Sequence, residues 1–539
     1  MYNNSLFWKV FSRRSAISFF LIMLLFLSCI MRVAVTATSD YSQVRTAQNS
    51  LKITIAKQRG TIFDRNLVPI TNQSKKIIAA VSPTPRAITA LCSVLDGTEL
   101  NNALERLRDG KPIVCEVPEK IECDGIKCTE IYTHNTPQTP SIHLVGYTNN
   151  ELKGISGLQA AYDNLLATDS EIYVMYECSG TGNILEGVEP VIINNSTAEA
   201  NGVVTTLDIN LQSIAEKAAE KIEMGAIVIA EAKSGKIRAS VSMPTFDSTA
   251  ISEYLDRENS PLLNRAINAY NVGSVFKPCV AVAAIKKGLN SFSYTCVGSC
   301  EIIDRFFKCH NLSGHGLLNL RSALANSCNT YFYNLAFNVG KSDIYNTASS
   351  LRFGQELKLC EGIYTAKGSL PDIDTLDNIA QLANFSIGQG ELLLSPISIL
   401  TLYCAIASDG KYYIPSIVEG TLQNGSITSY NKGNPTKVMS DETAKLLREY
   451  LTAVLTEGTG KSALPKTVTA AGKTATAQTG RYESGVEICQ GWFCGFFPAE
   501  NPKYVAVIFS EDTRKQTASC SEIFGALADR ITSFEKNRQ

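Results

Sequence analysis

Hydrophobic positions fall along the chain in three textures, and each predicts a different kind of element. Ser15 to Met31 (SAISFFLIMLLFLSCIM) runs 17 residues without a charge, with Lys9, Arg13 and Arg14 before it and Arg32 after it. That exceeds the roughly 7 to 15 apolar residues of a signal-peptide core and reaches the short end of what crosses a bilayer. It predicts a transmembrane anchor over 15–37, with residues 1–14 as a cytoplasmic tail and the rest of the chain outside, because the flanking basic residues favour the inner side. A cleaved signal peptide is the competing reading, with Val35-Thr36-Ala37 as the cleavage site.

From Thr38 to about Asn201, short β-like runs alternate with polar turns such as HNTPQTPS at 134–141, and no helical period dominates. This predicts a mainly β domain over 38–201. After Asn201 the texture changes. GAIVIAEA and IRASVSM read as two strands about the Lys233-Ser234-Gly235-Lys236 turn. Helices are predicted from Ser274 to about Lys287, over 321–339, from Ser395 to Ser408 and from Ser440 to Glu457, each stopped by a glycine. Strand texture returns over 467–478, 491–497 and 504–510, and an amphipathic helix closes the chain over 518–536. Strands, then helices, then strands and a helix predict an α+β domain over 202–539: one antiparallel sheet with flanking helices, its strands drawn from distant segments.

Composition narrows the field. A length of 539 residues suggests three or four domains. With 45% hydrophobic and 19% charged residues, the chain is neither disordered nor made mostly of membrane spans. The 50 Lys+Arg against 51 Asp+Glu leave no global electrostatic footprint for nucleic acid. Four histidines leave little room for a multi-His metal site, whereas 16 cysteines are too many to pass over.

Candidate chemistry begins at Gly273-Ser274-Val275-Phe276-Lys277, at the start of a predicted helix. Residues three apart share a helix face, so the Lys277 amine can reach the Ser274 hydroxyl. A serine nucleophile needs such a base, and a lysine acts as one only when its pKa is lowered. Alone, Ser-x-x-Lys occurs by chance and reads equally as a capped surface helix with a solvated lysine. Two further stretches change this: Ser327-Cys328-Asn329 in the next helical region, and Lys473-Thr474-Ala475-Thr476 on a predicted strand. Ser-x-x-Lys, Ser-x-Asn and Lys-Thr-Gly in this order form the active-site set of penicillin-binding proteins and serine β-lactamases.

The chain resembles a class B, monofunctional penicillin-binding protein, a peptidoglycan D,D-transpeptidase. Arg59-Gly60-Thr61-Ile62-Phe63-Asp64-Arg65-Asn66, Gly154-Ile155-Ser156-Gly157-Leu158-Gln159, Asn264-Arg265, and Gly388-Gln389-Gly390 with Ser395-Pro396 fit the same family. The resemblance implies a penicillin-binding transpeptidase fold on an N-terminal pedestal, and acyl transfer with Ser274 as nucleophile and Lys277 as base. It implies Ser327 as proton relay, Asn329 as orienter, and Lys473 with Thr474, Ala475 and Thr476 as the wall for the substrate carboxylate. The backbone N–H groups of Ser274 and Thr476 would form the oxyanion hole. Peptidoglycan stem peptides and β-lactams are the implied ligands, a SEDS-family glycan polymerase in the cytoplasmic membrane the implied partner, with no cofactor and no nucleic acid. The alternative is a catalytically weak penicillin-binding receptor or scaffold that regulates a wall polymerase.

Some positions depart from the family pattern. Ala475 replaces the usual glycine, and its methyl is expected to crowd the substrate. The Arg59–Asn66 stretch is expected to hold the pedestal through a glycine turn and local charge pairs. Among the cysteines, Cys123 lies near Cys128, Cys489 near Cys494, and Cys296, Cys300 and Cys309 near His310 and His315. The spacing C-x3-C-x8-C-H fits no usual zinc pattern, so no metal is expected there. A disulfide is the favoured reading for that cluster, between Cys296 and Cys309, with free thiols as the other.

Overall fold

The computed structural model describes residues 4–38, 49–134, 136–167, 171–185, 187–430 and 433–538. The apolar N-terminal stretch is one helix, Asn4–Thr38. Its segment Trp8–Val35, which contains an 18-residue stretch of mean hydropathy 2.4, covers 28 residues. That length gives about 42 Å at 1.5 Å per residue, enough to cross a bilayer. The helix outruns the predicted 15–37 span because the charges at its ends do not interrupt its backbone hydrogen bonds. It fits a single-pass membrane anchor.

The chain divides into two compact units whose borders do not follow chain order, the N-terminal helix falling in the smaller. Met1–Lys57, Lys75–Ile131 and Glu171–Ser196 make the smaller, and Gln58–Ser74, Tyr132–Ser170 and Thr197–Gln539 the larger. The stretch 38–201 thus contributes to both. In the smaller unit, one antiparallel sheet joins Ser50–Lys57, Glu171–Glu177 and Val191–Asn194, and another joins Ile113–Val117, Ser74–Val81 and Ile126–Thr133. It also holds two helices that the hydrophobic pattern did not predict, Pro85–Cys92 and Gly97–Leu107. Each buries only two residues, Ala87 with Leu91 and Ala103 with Leu107, so the apolar period is too brief to read.

The larger unit is built on a five-stranded sheet: β1 (Gly225–Glu231), β2 (Ile237–Met243), β3 (Ala471–Glu483), β4 (Val486–Phe497) and β5 (Tyr504–Ser510). The order is β2-β1-β5-β4-β3, antiparallel throughout. Helices Ile209–Ala219 and Cys520–Lys536 pack together on it, and so does helix Pro396–Ala407, buried along its whole length. With every residue of β5 and nearly all of β1 buried, both faces of the central strands are covered. That is why their sequences are continuous apolar runs rather than alternating ones. β3 is an edge strand, and among the described residues no strand pairs with its outer side.

The Arg59–Asn66 stretch belongs to this larger unit. Its strand Thr61–Phe63 pairs in parallel with Gly202–Thr205, which pairs in turn with Val418–Gln423. Asp64 works locally, accepting from the backbone N–H groups of Asn66 at 2.7 Å and Val68 at 2.9 Å. Arg59 does not. Its buried guanidinium donates to Gln159 Oε1 and the carbonyls of Leu152 and Gln159, and pairs with Asp163 at 2.8 Å. The expected local charge pairs are therefore replaced by a long-range tie between two of the stretches noted in the sequence.

Candidate active site

Ser274 is carried on a short, heavily constrained turn. Gly273 has φ +60°, a left-handed conformation that favours glycine, and its N–H donates to the Gly388 carbonyl at 2.9 Å. A Cβ on Gly388 would lie 2.1 Å from the backbone oxygen of Gly273, so position 388 admits no side chain against this turn. Tyr403 donates its hydroxyl to the Val275 carbonyl, and Trp492 its indole N–H to the Asn271 carbonyl, at 2.9 and 2.8 Å. These props come from far along the chain, and no local signal in the sequence marks them.

The residues Gly273–Phe276 form a 3₁₀ turn that runs into the α-helix Lys277–Lys286, with Pro278 in its first turn. The predicted helix start at Ser274 is thus a tighter coil. In a 3₁₀ turn the side chains at i and i+3 eclipse, which aligns Ser274 and Lys277 more closely than α-geometry would. Ser274 is partly exposed, whereas Lys277 is completely buried.

The amine of Lys277 donates to the Ser327 carbonyl at 2.7 Å, to Asn329 Oδ1 at 2.7 Å and to Ser327 Oγ at 3.3 Å, and it lies 5.3 Å from the Phe332 ring centroid. Two of the predicted motifs therefore meet on this one nitrogen. They do so because the helix predicted over 321–339 is broken. Leu320–Ala325 and Asn329–Val339 are separate helices, and Ser327 between them takes φ +53°. A non-glycine residue there costs on the order of 1–3 kcal/mol, which the surrounding contacts must offset. Burial pushes the Lys277 amine down to about 7, against an upward pull from the nearby Cys328 and Cys309 thiols.

The third motif lines the edge strand β3. Lys473 is fully buried, its amine donates to the Thr474 carbonyl at 3.0 Å, and burial followed by the charge of Lys277 holds its pKa well below the usual lysine range. Thr474 is tied to Thr459 through their hydroxyls at 3.0 Å, a partner the sequence did not suggest, and Thr476 is exposed. Ala475 is 9% exposed. Its methyl faces the nucleophile turn: a Cβ built on Gly273 would meet those of Ala477 and Ala475 at 3.1 and 3.5 Å.

All sixteen cysteines are free, so the considered Cys296–Cys309 disulfide is absent. Instead both sulfurs share a tight group with Cys328 Sγ and a His315 ring nitrogen. Cys489 and Cys494 lie five positions apart on β4, facing opposite sides of the sheet, so they cannot be bridged.

Known proteins resemble this chain over most of its length. The family described as "Penicillin binding protein transpeptidase domain" matches residues 225–530, more than half of the chain. Stage V sporulation protein D of Bacillus subtilis is 26% identical over 84% of this chain and 74% of its own length. The peptidoglycan D,D-transpeptidase MrdA of Acinetobacter baumannii is also 26% identical, over 70% of this chain and 60% of its own. Penicillin-binding protein 3 of Mycobacterium tuberculosis, solved with aztreonam, superposes with a TM-score of 0.65 at 23% identity, covering 90% of this chain and 97% of that one. The chain belongs to the penicillin-binding protein transpeptidase family. It is a serine-type acyl-transfer enzyme with an α+β transpeptidase fold.

Proposed function

We propose that this protein is a membrane-anchored peptidoglycan D,D-transpeptidase, acylated at Ser274 by D-Ala-D-Ala stem peptides and by β-lactams. The observation that carries this reading is the buried Lys277 amine, three residues from Ser274 and held at 2.7 Å by both the Ser327 carbonyl and Asn329 Oδ1. A neutral amine has two N–H groups, and these acceptors use both. In that form the third contact, to Ser327 Oγ at 3.3 Å, reverses and the lone pair accepts from a hydroxyl, and burial favours the neutral amine.

Ser274 Oγ attacks the carbonyl between the two D-alanines while Lys277 takes its proton, and the N–H groups of Ser274 and Thr476 receive the oxyanion. Ser327 passes a proton to the departing D-alanine amine. An acceptor amine from a neighbouring strand then attacks the acyl-enzyme, regenerating Ser274 and closing the cross-link. Burial and the charge of Lys277 both disfavour a charge on Lys473 in the absence of a counter-ion. The substrate's terminal carboxylate supplies one, so that Lys473 holds its proton for binding while Lys277 stays neutral for catalysis. The hydroxyls of Thr474 and Thr476 and the backbone at Ala475 complete that wall, and the unpaired edge of β3 accepts the stem peptide as an added strand.

The test is to incubate the protein and Ser274→Ala with a fluorescent penicillin, and separately with a D-Ala-D-Ala stem peptide plus an amine acceptor. Ser274-dependent labelling with release of D-alanine is expected. Absence of such labelling overturns the enzyme reading, and labelling without D-alanine release favours the receptor or scaffold. Basic residues ahead of the apolar helix support an extracytoplasmic catalytic domain, which labelling of intact cells by an impermeant penicillin would read. The family resemblance supports pairing with a SEDS-family polymerase, testable by co-purification from membranes.

A further inference from the structure

Four metal-ligating side chains converge directly behind the second motif. Cys296 ends the strand Ser293–Cys296, Cys309 follows Arg305–Lys308, and His315 precedes Gly316–Asn319. Cys328 comes from elsewhere, standing between Ser327 and Asn329. One ligand atom from each of the four, three sulfurs and an imidazole nitrogen, lies within 4.8 Å of all the others. The three cysteines are buried and His315 is half-buried.

The spacing within this group is informative. Cys309 Sγ lies 3.8 Å from Cys328 Sγ and 3.6 Å from His315 Nδ1. Zinc held tetrahedrally, with Zn–S of about 2.3 Å and Zn–N of about 2.0–2.1 Å, separates two sulfurs by about 3.8 Å and a sulfur from a nitrogen by about 3.6 Å. The two distances match the edges of that tetrahedron. A disulfide would instead need sulfurs at about 2.05 Å. Cys309 also approaches His310 Nδ1 at 3.8 Å, but that ring is not part of the mutually close group.

The backbone is shaped to bring these ligands together. The N–H of His315 donates to the Cys296 carbonyl at 3.0 Å, and that of Cys309 to the Gly298 carbonyl at 2.8 Å. Gly298 has φ +97°, and a Cβ there would lie 2.0 Å from the Leu312 oxygen; on Gly314, at φ +81°, it would lie 2.4 Å from the Cys296 oxygen.

We propose that Cys296, Cys309, His315 and Cys328 bind one zinc ion, which clamps the hairpin loop to the Ser327–Asn329 segment and so fixes the acceptors of Lys277. Three thiolates and an imidazole suit zinc and fill its tetrahedron, leaving no open position, so the ion is structural. On binding, Zn²⁺ replaces the three thiol protons, which pass to solvent. The four ligands are positioning residues: Cys328 is covalently next to both Ser327 and Asn329, and the site contains neither Ser274 nor Lys473. Zinc binding stands on geometry alone, whereas its coupling to Lys277 rests on the proposed activity.

The test uses the full chain in detergent, purified under reducing conditions without chelator. Elemental analysis should find about one zinc per chain, and cobalt exchange should give the visible absorption bands of tetrahedral thiolate coordination. Cys309→Ser should lower the zinc content to about a tenth or less, whereas Cys300→Ser, a hairpin thiol outside the group, should retain it. Chelation should slow β-lactam acylation about tenfold or more, with recovery on adding zinc, the scale on which groups supporting a site act. A reduced wild-type protein with neither zinc nor the cobalt bands, or a mapped disulfide among the three cysteines, would overturn the site. Full zinc in Cys309→Ser would overturn the ligand set, and unchanged acylation after zinc removal would overturn the coupling. The zinc count reads the site without reference to activity, so failure of the proposed acylation would not mimic its absence.

Discussion

Lys277 Nζ lies 2.7 Å from Asn329 Oδ1, a contact between residues 52 positions apart that joins the lysine of the first motif to the asparagine of the second. It makes the amine, rather than the hydroxyl of Ser274, the best-anchored group in the site. Lys277→Met keeps the bulk and removes the base. We expect β-lactam acylation to fall by about 10²–10⁴-fold, the usual worth of a positioned base, and the melting temperature to fall as well, because the Ser327 carbonyl and Asn329 Oδ1 lose the donor they share. Fluorescent-penicillin kinetics with calorimetry check both, and acylation within threefold of wild type would contradict the role.

The paired glycines under the nucleophile predict a sharp local sensitivity. Gly388→Ala places a methyl 2.1 Å from the Gly273 oxygen at φ +75°, whereas Gly480→Ala, at φ +67°, meets nothing within 4 Å. We expect the first to cost more than about 2 kcal/mol and to slow acylation, and the second to cost about 1 kcal/mol from its backbone conformation alone. Thermal unfolding of the two variants side by side decides this.

Arg59 predicts a long-range effect on stability. Its buried guanidinium fills three hydrogen bonds and an ion pair with Asp163. Arg59→Ala removes the ion-pair partner of Asp163, which keeps the Gly154 N–H, and leaves two buried acceptors unpaired, and should cost about 2–5 kcal/mol. Arg59→Lys should recover little, because a point charge cannot replace the planar fork. Urea denaturation of all three proteins measures the order.

Two buried histidines predict acid sensitivity. His134 is hydrogen-bonded to Asn72 Oδ1 and Gln159 at 2.8 Å, and His143 to the Pro261 carbonyl at 2.6 Å. Burial, aided by Arg59 for the first and Arg265 for the second, pushes each pKa down to about 4. Unfolded histidine titrates near 6.5. Between about pH 6.5 and 4 the unfolded chain therefore binds more protons, and the stability present above that window is lost as pH falls, at up to about 1.4 kcal/mol per unit for each ring. Urea midpoints at pH 7.5, 6 and 5 should fall in that order. A flat profile would show that the rings protonate without penalty.

Much of the active site was legible because its evidence is local. Ser274 and Lys277 are neighbours on one coil, and Lys473 to Thr476 sit on a strand whose β-texture is visible. What could not be read involves partners distant in sequence. The helix predicted over 321–339 breaks at Ser327 because Lys277, fifty residues earlier, binds the carbonyl exposed by the break. Arg59 was expected to pair locally and instead reaches Asp163. The spacing of Cys296, Cys300 and Cys309 fits no contiguous zinc pattern because the close group omits Cys300 and draws its fourth member, Cys328, from the Ser-x-Asn motif.

The sequence by itself determined the apolar N-terminal helix, the buried strands of the central sheet and the three motifs that define the family. Each is written in short-range periodicity or spacing, which the backbone converts directly into a face or a coil. Tertiary structure alone decided that Lys277 is buried, that the Ala475 methyl lies under the nucleophile turn, and that three cysteines and a histidine meet behind Asn329. Burial and convergence depend on which distant segments close against each other, and a local pattern of residues carries no record of that choice.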